Sequence, residues 1–346
     1  MAENLLIPSG YREILSPRET ERAILNIKDA FQTSIAYELN LTRVTAPLFV
    51  ESGTGVNDDL NGVEKPVSFV MTGVEGRTAE IVQSLAKWKR IALAELGFSP
   101  GEGLYADMNA IRPDETPDNI HSLYVDQWDW ERSIEPSDRT IDFLVSIVRR
   151  IYDIIRRTER YICHEYRELT PYLPETITIV HAEELRAAYP RLTPRERERE
   201  ACRTHGAVFV VGIGAALSDG KPHDGRAPDY DDWITETSPG RLGLNGDIVV
   251  YNKVLDDVFE LSSMGIRVVP DSLTRQLELS GTSHRKSLSF HKRLLAGELP
   301  PSIGGGIGQS RLCMLYLQKA HIGEIQASIW PEQMRRECAA NGVTLL

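Results

Sequence analysis

Four cations and a set of carboxylates are the residues in this sequence that point to chemistry. The run Ser122-Leu123-Tyr124-Val125-Asp126-Gln127-Trp128-Asp129-Trp130-Glu131 has the β-branched and aromatic content of a strand. Side chains alternate faces along a strand, so Leu123, Val125, Gln127, Asp129 and Glu131 share one face. Tyr124, Asp126, Trp128 and Trp130 share the other, and paired tryptophans suit packing on a helix layer. The first face carries an amide and two carboxylates at steps of about 6.6 Å. A half-exposed antiparallel strand with one wet face would show the same alternation. The neighbourhood tips the balance, because Arg112 precedes this strand and Gly304-Gly305-Gly306-Ile307-Gly308-Gln309-Ser310-Arg311-Leu312 closes the chain's chemistry.

Arg112, Arg311, Lys89 and Arg267 supply positive charge for phosphate or carboxylate groups. Asp247 and Glu260 lie in otherwise apolar strand candidates, where an unpaired charge is costly and a cation or metal is needed. Mg²⁺ takes hard oxygen ligands together with substrate phosphates. The whole set suits an anionic nucleotide, Mg²⁺ and an amino acid whose α-ammonium a carboxylate such as Asp58 or Asp129 would receive.

These residues need elements to position them. Ser16-Pro17-Arg18-Glu19 reads as a capping box with proline at the first helical position. Ile24, Ile27, Phe31, Ile35 and Leu39 continue it at helical spacing. Leu41–Val50 is a strand candidate broken at Pro47. The loop Glu51–Gly62 is rich in Gly, Asn and Asp and long enough to be a binding loop rather than a solvated turn. Val67–Met71 and Thr78–Gln83 read as a hairpin, and Ser84–Leu96 as a helix stopped by Gly97. Its cations Lys87, Lys89 and Arg90 are expected on a solvated face, with one of them turned to an anion. Ile141–Tyr161 is a long helix with an aliphatic core stripe. Arg195–Glu200 alternates charge as an exposed helical turn. Ala207–Val211 is a buried strand running into Gly212-Ile213-Gly214; Leu217 stands where a dinucleotide fingerprint needs its third glycine, and no GK[ST] follows. Asp247–Tyr251 and Val258–Ser263 are expected to pair. A polar helical region, Leu273–Leu295, is followed by a glycine-rich turn and a helix, Gln309–Gln318. Whether Ser262 or Ser263 faces the same side as Glu260 depends on whether Gly265 marks a bulge. Strands and helices do not alternate as βαβ units, which predicts an α+β fold with a mainly antiparallel sheet flanked by helices.

Composition narrows the function classes. The 346 residues are 41% hydrophobic and 26% charged, ordinary for a soluble protein with a sizeable core. No apolar run approaches the ~20 residues of a membrane span, and the first residues lack the pattern of a signal peptide. Cys163, Cys202, Cys313 and Cys338 form no zinc-like spacing and fit a reducing, cytoplasmic setting. A formal charge of −11 argues against a broad nucleic-acid surface.

The motifs then resemble a family. Arg112 to Glu115 followed by Gln127-x-Asp129-x-Glu131 resembles motif 2 of the class II aspartyl/asparaginyl-tRNA synthetase catalytic core. Gly306-x-Gly308-x-x-Arg311-Leu312 resembles its motif 3. The fuller match is to the ammonia-dependent aspartate–ammonia ligases, the A-type asparagine synthetases. It rests on Asn57-Asp58-Asp59-Leu60-Asn61-Gly62, Ser84 to Arg90, Tyr124 to Glu131, Arg226-Ala227-Pro228-Asp229-Tyr230-Asp231-Asp232-Trp233, Gly243 to Asp247, Phe259 to Arg267 and Gly304 to Leu312. The resemblance implies a single class II synthetase-like catalytic domain over residues 1–346, without an anticodon-binding domain, working as a homodimer. It implies synthesis of L-asparagine from L-aspartate, ammonia and ATP through a β-aspartyl-adenylate, with AMP and diphosphate released. On that reading Arg112 clamps the α-phosphate, Arg311 stacks on adenine, and Glu131, Gly306 and Gly308 complete the nucleotide site. Asp247 and Glu260 hold Mg²⁺; Asp58, Lys89, Gln127 and Arg267 grip aspartate; Asp129 or Asp231 receives the proton of ammonium. A glutamine-dependent synthetase would need a nucleophilic cysteine, typically N-terminal, where Ala2 stands. A truncated tRNA synthetase core would need a basic tRNA face. Against a non-catalytic aspartate or AMP sensor, Arg112, Gln127, Glu260 and Arg311 are all present, so nothing suggests lost chemistry, and the effector or DNA-binding module expected of a sensor is not visible.

Overall fold

A computed structural model describes residues 4–60, 62 and 64–346. Ala2, and Asn61 of the Asn57–Gly62 block, lie outside the described residues. The molecule is organised on an eight-stranded sheet whose strands, numbered in chain order, are β1 (Leu41–Arg43), β2 (Gly103–Ile111), β3 (Tyr124–Ser133), β4 (Thr178–His181), β5 (Ala207–Val211), β6 (Asn245–Asn252), β7 (Asp257–Ile266) and β8 (Ser302–Gly308). Their spatial order is β1-β2-β3-β8-β7-β6-β5-β4. The six inner strands are antiparallel throughout, and only the short edge strands β1 and β4 join in parallel. The predicted mixed fold with a large, mainly antiparallel sheet is the observed one.

Its two faces differ as the alternation in β3 requires. Trp128 and Trp130 are buried in an apolar layer against helices α1 (Pro17–Leu39) and α3 (Ile141–Glu165), where the ring of Trp128 stacks on Phe31 at 4.7 Å. Helix α1 starts where the sequence places it: Ser16 caps Glu19, whose carboxylate returns to the Ser16 backbone at 2.9 Å. Leu144, Ile147, Val148, Ile151, Ile154 and Ile155 form the buried stripe of α3. The opposite face of the sheet carries helix α2 (Ala86–Leu96) over β2 and β3, then a polar depression over β3, β8 and β7. A separate three-stranded sheet, Phe49–Glu51, Ser68–Val70 and Thr78–Ile81, includes the expected hairpin.

Four local readings are corrected. The glycine-rich stretch is not a turn but β8, an interior strand leading directly into helix α4 (Gln309–Tyr316). Glycine is unfavourable in a strand for lack of packing, and here the missing side chains make room for polar groups of β3. The cations of α2 are not on a solvated face, since Lys87, Lys89 and Arg90 are all buried. The polar region after Val269 is three short pieces, Pro270–Leu279, Ser283–Ser287 and Ser289–Leu295. In β7 the extra residue is Leu261: Ser262 faces Ile248 and Glu260 faces Val249, so the bulge lies there and not at Gly265. That shift puts Ser263 and Glu260 on one face.

Candidate active site

The polar depression is a cavity of about 540 Å³. Its wall holds Asp58, Lys89, Arg112, Gln127, Asp129, Asp231, Glu260, Arg267, Gly306, Gly308 and Arg311, drawn from seven separate stretches of sequence. Register explains the convergence. In neighbouring strands, paired residues point to the same side, and Asp129 pairs with Gly306, which pairs with Ser263, which pairs with Asp247. Gln127 and Glu131 bracket Asp129 on this same face, opposite Gly308 and Gly304.

At the floor, Lys89 of α2 reaches Asp129 and donates to the carbonyl of Gly305 at 3.0 Å. Burial lowers the Lys89 pKa, and Asp129 partly offsets that. The second oxygen of Asp129, Oδ2, is buried without a partner. Arg267, at the end of β7, is held by Glu131 through Nε at 3.0 Å and Nη2 at 2.7 Å, and it also contacts Asp231. Glu131 accepts a further bond from Ser302 at 2.7 Å. Burial would raise the Glu131 carboxyl, but the Arg267 guanidinium and these bonds leave it below its usual value. Glu131 is fully buried and lies off the cavity wall. It stands behind Arg267, set back from the wall on which its nucleotide contact is expected.

The glycines of β8 and β7 leave the space that these side chains fill. A Cβ at Gly304 would overlap Oε2 of Glu131, and one at Gly306 would overlap Oε1 of Gln127. A Cβ at Gly265 would come within 2.8 Å of Asp231.

Asp58 enters from the Glu51–Gly62 loop. Its carboxylate accepts from Ser84 at 2.7 Å and from the Leu60 amide at 2.9 Å, and burial raises its pKa. Arg112 follows β2 on the cavity wall, and its Nε is buried without a partner, a donor left for an anion. Arg311, in the first turn of α4, lies 5.8 Å from the Phe259 ring and donates to the Glu260 carbonyl at 3.0 Å. That leaves one flat cation at the edge of the cavity.

The two expected metal ligands repel one another and are differently placed. Glu260 lines the cavity and is exposed, whereas Asp247 is set back behind Arg226, whose Nη2 it accepts at 2.7 Å. Burial pushes the Asp247 carboxyl up to about 7; Arg226 opposes the rise and Glu260 adds to it. No cluster of three or more His, Cys, Asp or Glu side chains with metal-site geometry occurs among the described residues. Two carboxylates are enough for Mg²⁺ when phosphates supply the remaining oxygens, and a cation would relieve the repulsion between them, so this donor set fits.

Arg226 itself was not singled out by the sequence reading. It donates to Ser263 Oγ at 2.6 Å and to Asp247, and its Nε is buried and unpartnered, 3.9 Å from Asp231. The only signal was its place at the head of the acid-rich loop. Ser263, rather than Ser262, bears on this group; the Ser262 hydroxyl is spent on the Gly306 carbonyl at 2.9 Å.

Comparison with known proteins bears on the family and the fold. The sequence profile of the aspartate–ammonia ligase family matches residues 18–342. The chain is 56% identical over 342 residues to an aspartate–ammonia ligase of Parabacteroides distasonis, covering 99% of each. It is 54% identical over 344 residues to one of Clostridium perfringens, covering 99% of this chain and all of the other. Among solved structures, asparaginyl-tRNA synthetase of Entamoeba histolytica with asparaginyl-adenylate aligns with TM-score 0.65 at 15% identity, over 90% of this chain and 66% of that one. The Pyrococcus horikoshii asparaginyl-tRNA synthetase with asparaginyl-adenylate gives 0.64 at 14% identity, over 90% and 70%. At such identities these two likenesses establish the fold, a class II synthetase catalytic core. The full-length matches to the ligases go further, and the chain belongs to the aspartate–ammonia ligase family.

Proposed function

We propose that this chain makes L-asparagine from L-aspartate, ammonia and ATP through a β-aspartyl-adenylate, releasing AMP and diphosphate. The observation that carries the reading is the pairing of two buried, carboxylate-anchored cations, Lys89 and Arg267, with a rim of phosphate-suited arginines around one cavity. Lys89 and Arg267 receive the carboxylates of aspartate, Asp58 receives its ammonium, and Gln127 orients it. Arg112 clamps the α-phosphate, Arg311 lies against adenine, and Gly306 and Gly308 leave room for the nucleotide. Mg²⁺ held by Asp247 and Glu260 would neutralise the leaving diphosphate.

The β-carboxylate attacks the α-phosphorus in line while the bond to diphosphate breaks. Catalysis of this step is positioning and charge neutralisation. Ammonia then adds to the acyl carbon, the bond to AMP breaks, and one proton passes from nitrogen to a carboxylate. Both acids face a cation, but Asp129 meets Lys89 through one oxygen and keeps Oδ2 unpartnered, whereas Asp231 meets Arg267 through one oxygen and lies 3.9 Å from Arg226 through the other, which favours Asp129. Asp129→Asn is expected to slow asparagine release at least 100-fold while ATP–diphosphate exchange persists. Equal loss of both steps would remove it from the proton-transfer role.

We further read the chain as one catalytic domain that works as a cytoplasmic homodimer and binds no nucleic acid. No described helix is long and apolar enough to cross a membrane. The direct test is incubation with L-aspartate, Mg·ATP and ammonium chloride, assayed for asparagine and for AMP against ADP. Asparagine with equimolar AMP supports the reading; ADP, or exchange without asparagine, overturns it.

A further inference from the structure

Beside the cavity lies a buried charge cluster that none of the steps above uses. Asp229, fully buried in the Arg226–Trp233 loop, accepts through Oδ2 from Lys87 Nζ at 3.3 Å, His291 Nε2 at 3.1 Å and Arg285 Nη1 at 3.3 Å. Its Oδ1 has no partner. The other arm of Arg285 reaches Asp59 at 2.9 Å, and Asp59 adjoins Asp58. The same loop docks on the helix Ser289–Leu295: the Phe290 amide donates to the Thr54 carbonyl at 3.4 Å, and a Cβ on Gly55, at φ +76°, would come within 2.8 Å of Leu288 and 3.2 Å of His291. Asn57 fastens the loop from its other side, its Oδ1 accepting from the Asp58 and Gln83 amides at 2.9 Å each.

We infer that Asp229 and Arg285 are positioning residues that hold Asp58 at the substrate ammonium. Arg285 is a tie bar between the loop carrying Asp58 and a fixed buried anchor. Three elements distant in sequence converge on that anchor: Lys87 from α2, Arg285 from Ser283–Ser287 and His291 from Ser289–Leu295. What points beyond burial is that Arg285 spends its second arm on Asp59, beside Asp58, and so links the anchor to the loop. Lys87 also acts on Asp58 electrostatically, favouring its ionised form, while Asp229 opposes it. The tie therefore fixes both where Asp58 sits and which charges face it.

This inference rests on Asp58 being the ammonium ligand, so the test reads ammonium recognition directly. Succinate has both carboxylates of aspartate and no ammonium. For Arg285→Ala, the aspartate KM is expected to rise about tenfold, with the inhibition constant of succinate and the ATP KM within twofold of the parent. Arg285→Lys should recover part of the loss, and Asp229→Asn, where it folds, should repeat it. An Arg285→Ala protein with the parent's aspartate KM overturns the inference. So does equal weakening of aspartate and succinate, which marks general loosening. Asp58→Asn in the same assay separates the two layers: if it leaves the aspartate KM unchanged in a protein that still makes asparagine, the reading of Asp58 fails first.

Discussion

A buried carboxylate bound to a cation recurs across the active site: Asp129 with Lys89, Glu131 with Arg267, Asp247 with Arg226, Asp229 with Lys87. Each pair carries a desolvation cost that its attraction offsets only with good geometry, and breaking one by removing a partner typically costs 3–5 kcal/mol, roughly. Such pairs are poor candidates for stability alone and good ones for fixing a cation's direction. Glu131 illustrates this, because it touches Arg267 through both oxygens and lies off the cavity wall. Glu131→Gln keeps the shape and an oxygen for Ser302 but loosens the guanidinium. The aspartate KM is expected to rise 10- to 100-fold, about 1.4–2.7 kcal/mol, with the ATP KM nearly constant. Steady-state kinetics with each substrate varied decides it; a change confined to the ATP KM would return Glu131 to the nucleotide site. At this scale the sequence was informative about residue type and face but not about depth. Period two puts Gln127, Asp129 and Glu131 on one side, yet it cannot say which of them is shielded by a partner arriving 136 positions later in the chain.

Strand β8 is the element on which the site depends most, and it is the one misread as a turn. Glycine runs usually mark turns because they tolerate positive φ, but Gly304, Gly305 and Gly306 are absent from the glycines with positive φ and lie in regular antiparallel register. Their role is absence of bulk. Gly304→Ala and Gly306→Ala separate the two halves of the site. The first drives a methyl against Glu131, whose carboxylate is pinned by Arg267 and Ser302. The second meets the end of Gln127. Displacement of about 1 Å at a reacting group costs roughly 100-fold in rate. Gly304→Ala is therefore expected to lose at least 100-fold in kcat/KM for aspartate, and Gly306→Ala less, because Gln127 is only half-buried. Unchanged far-UV circular dichroism would show that β8 survives in both. If Gly304→Ala keeps full activity, the packing argument for this strand is wrong. Elements with local signatures were legible in advance, such as the capping box of α1 and the aliphatic stripe of α3. The strand was not, because the reason for its glycines lies in the neighbouring strand.

For the whole molecule, the catalytic charge lies on one face of the sheet and the largest apolar cluster, its cohesive side, on the other. The chain's end is bound to the cohesive side through His321, which is fully buried between α4 and the C-terminal segment. Its Nδ1 accepts from the Gly323 amide at 3.0 Å, its ring meets Trp330 edge-on at 4.8 Å, and its Nε2 has no partner. Burial lowers its pKa from 6.5 to about 4, with Asp118 opposing. Between those values the unfolded chain binds the proton and the folded chain does not, so stability rises with pH across that window. The His321 contribution is complete above about pH 6.5 and lost as pH falls toward about 4. From pH 7 to pH 5 the difference amounts to about 2 kcal/mol. His321→Asn keeps an acceptor for the Gly323 amide and removes the titration. Urea denaturation at both pH values should show the parent losing about 2 kcal/mol more than the variant on acidification, while activity at pH 7 is retained. Parallel loss in both proteins would place the acid sensitivity among the carboxylates of the catalytic face instead, and would mean that the interior at His321 admits the proton without opening.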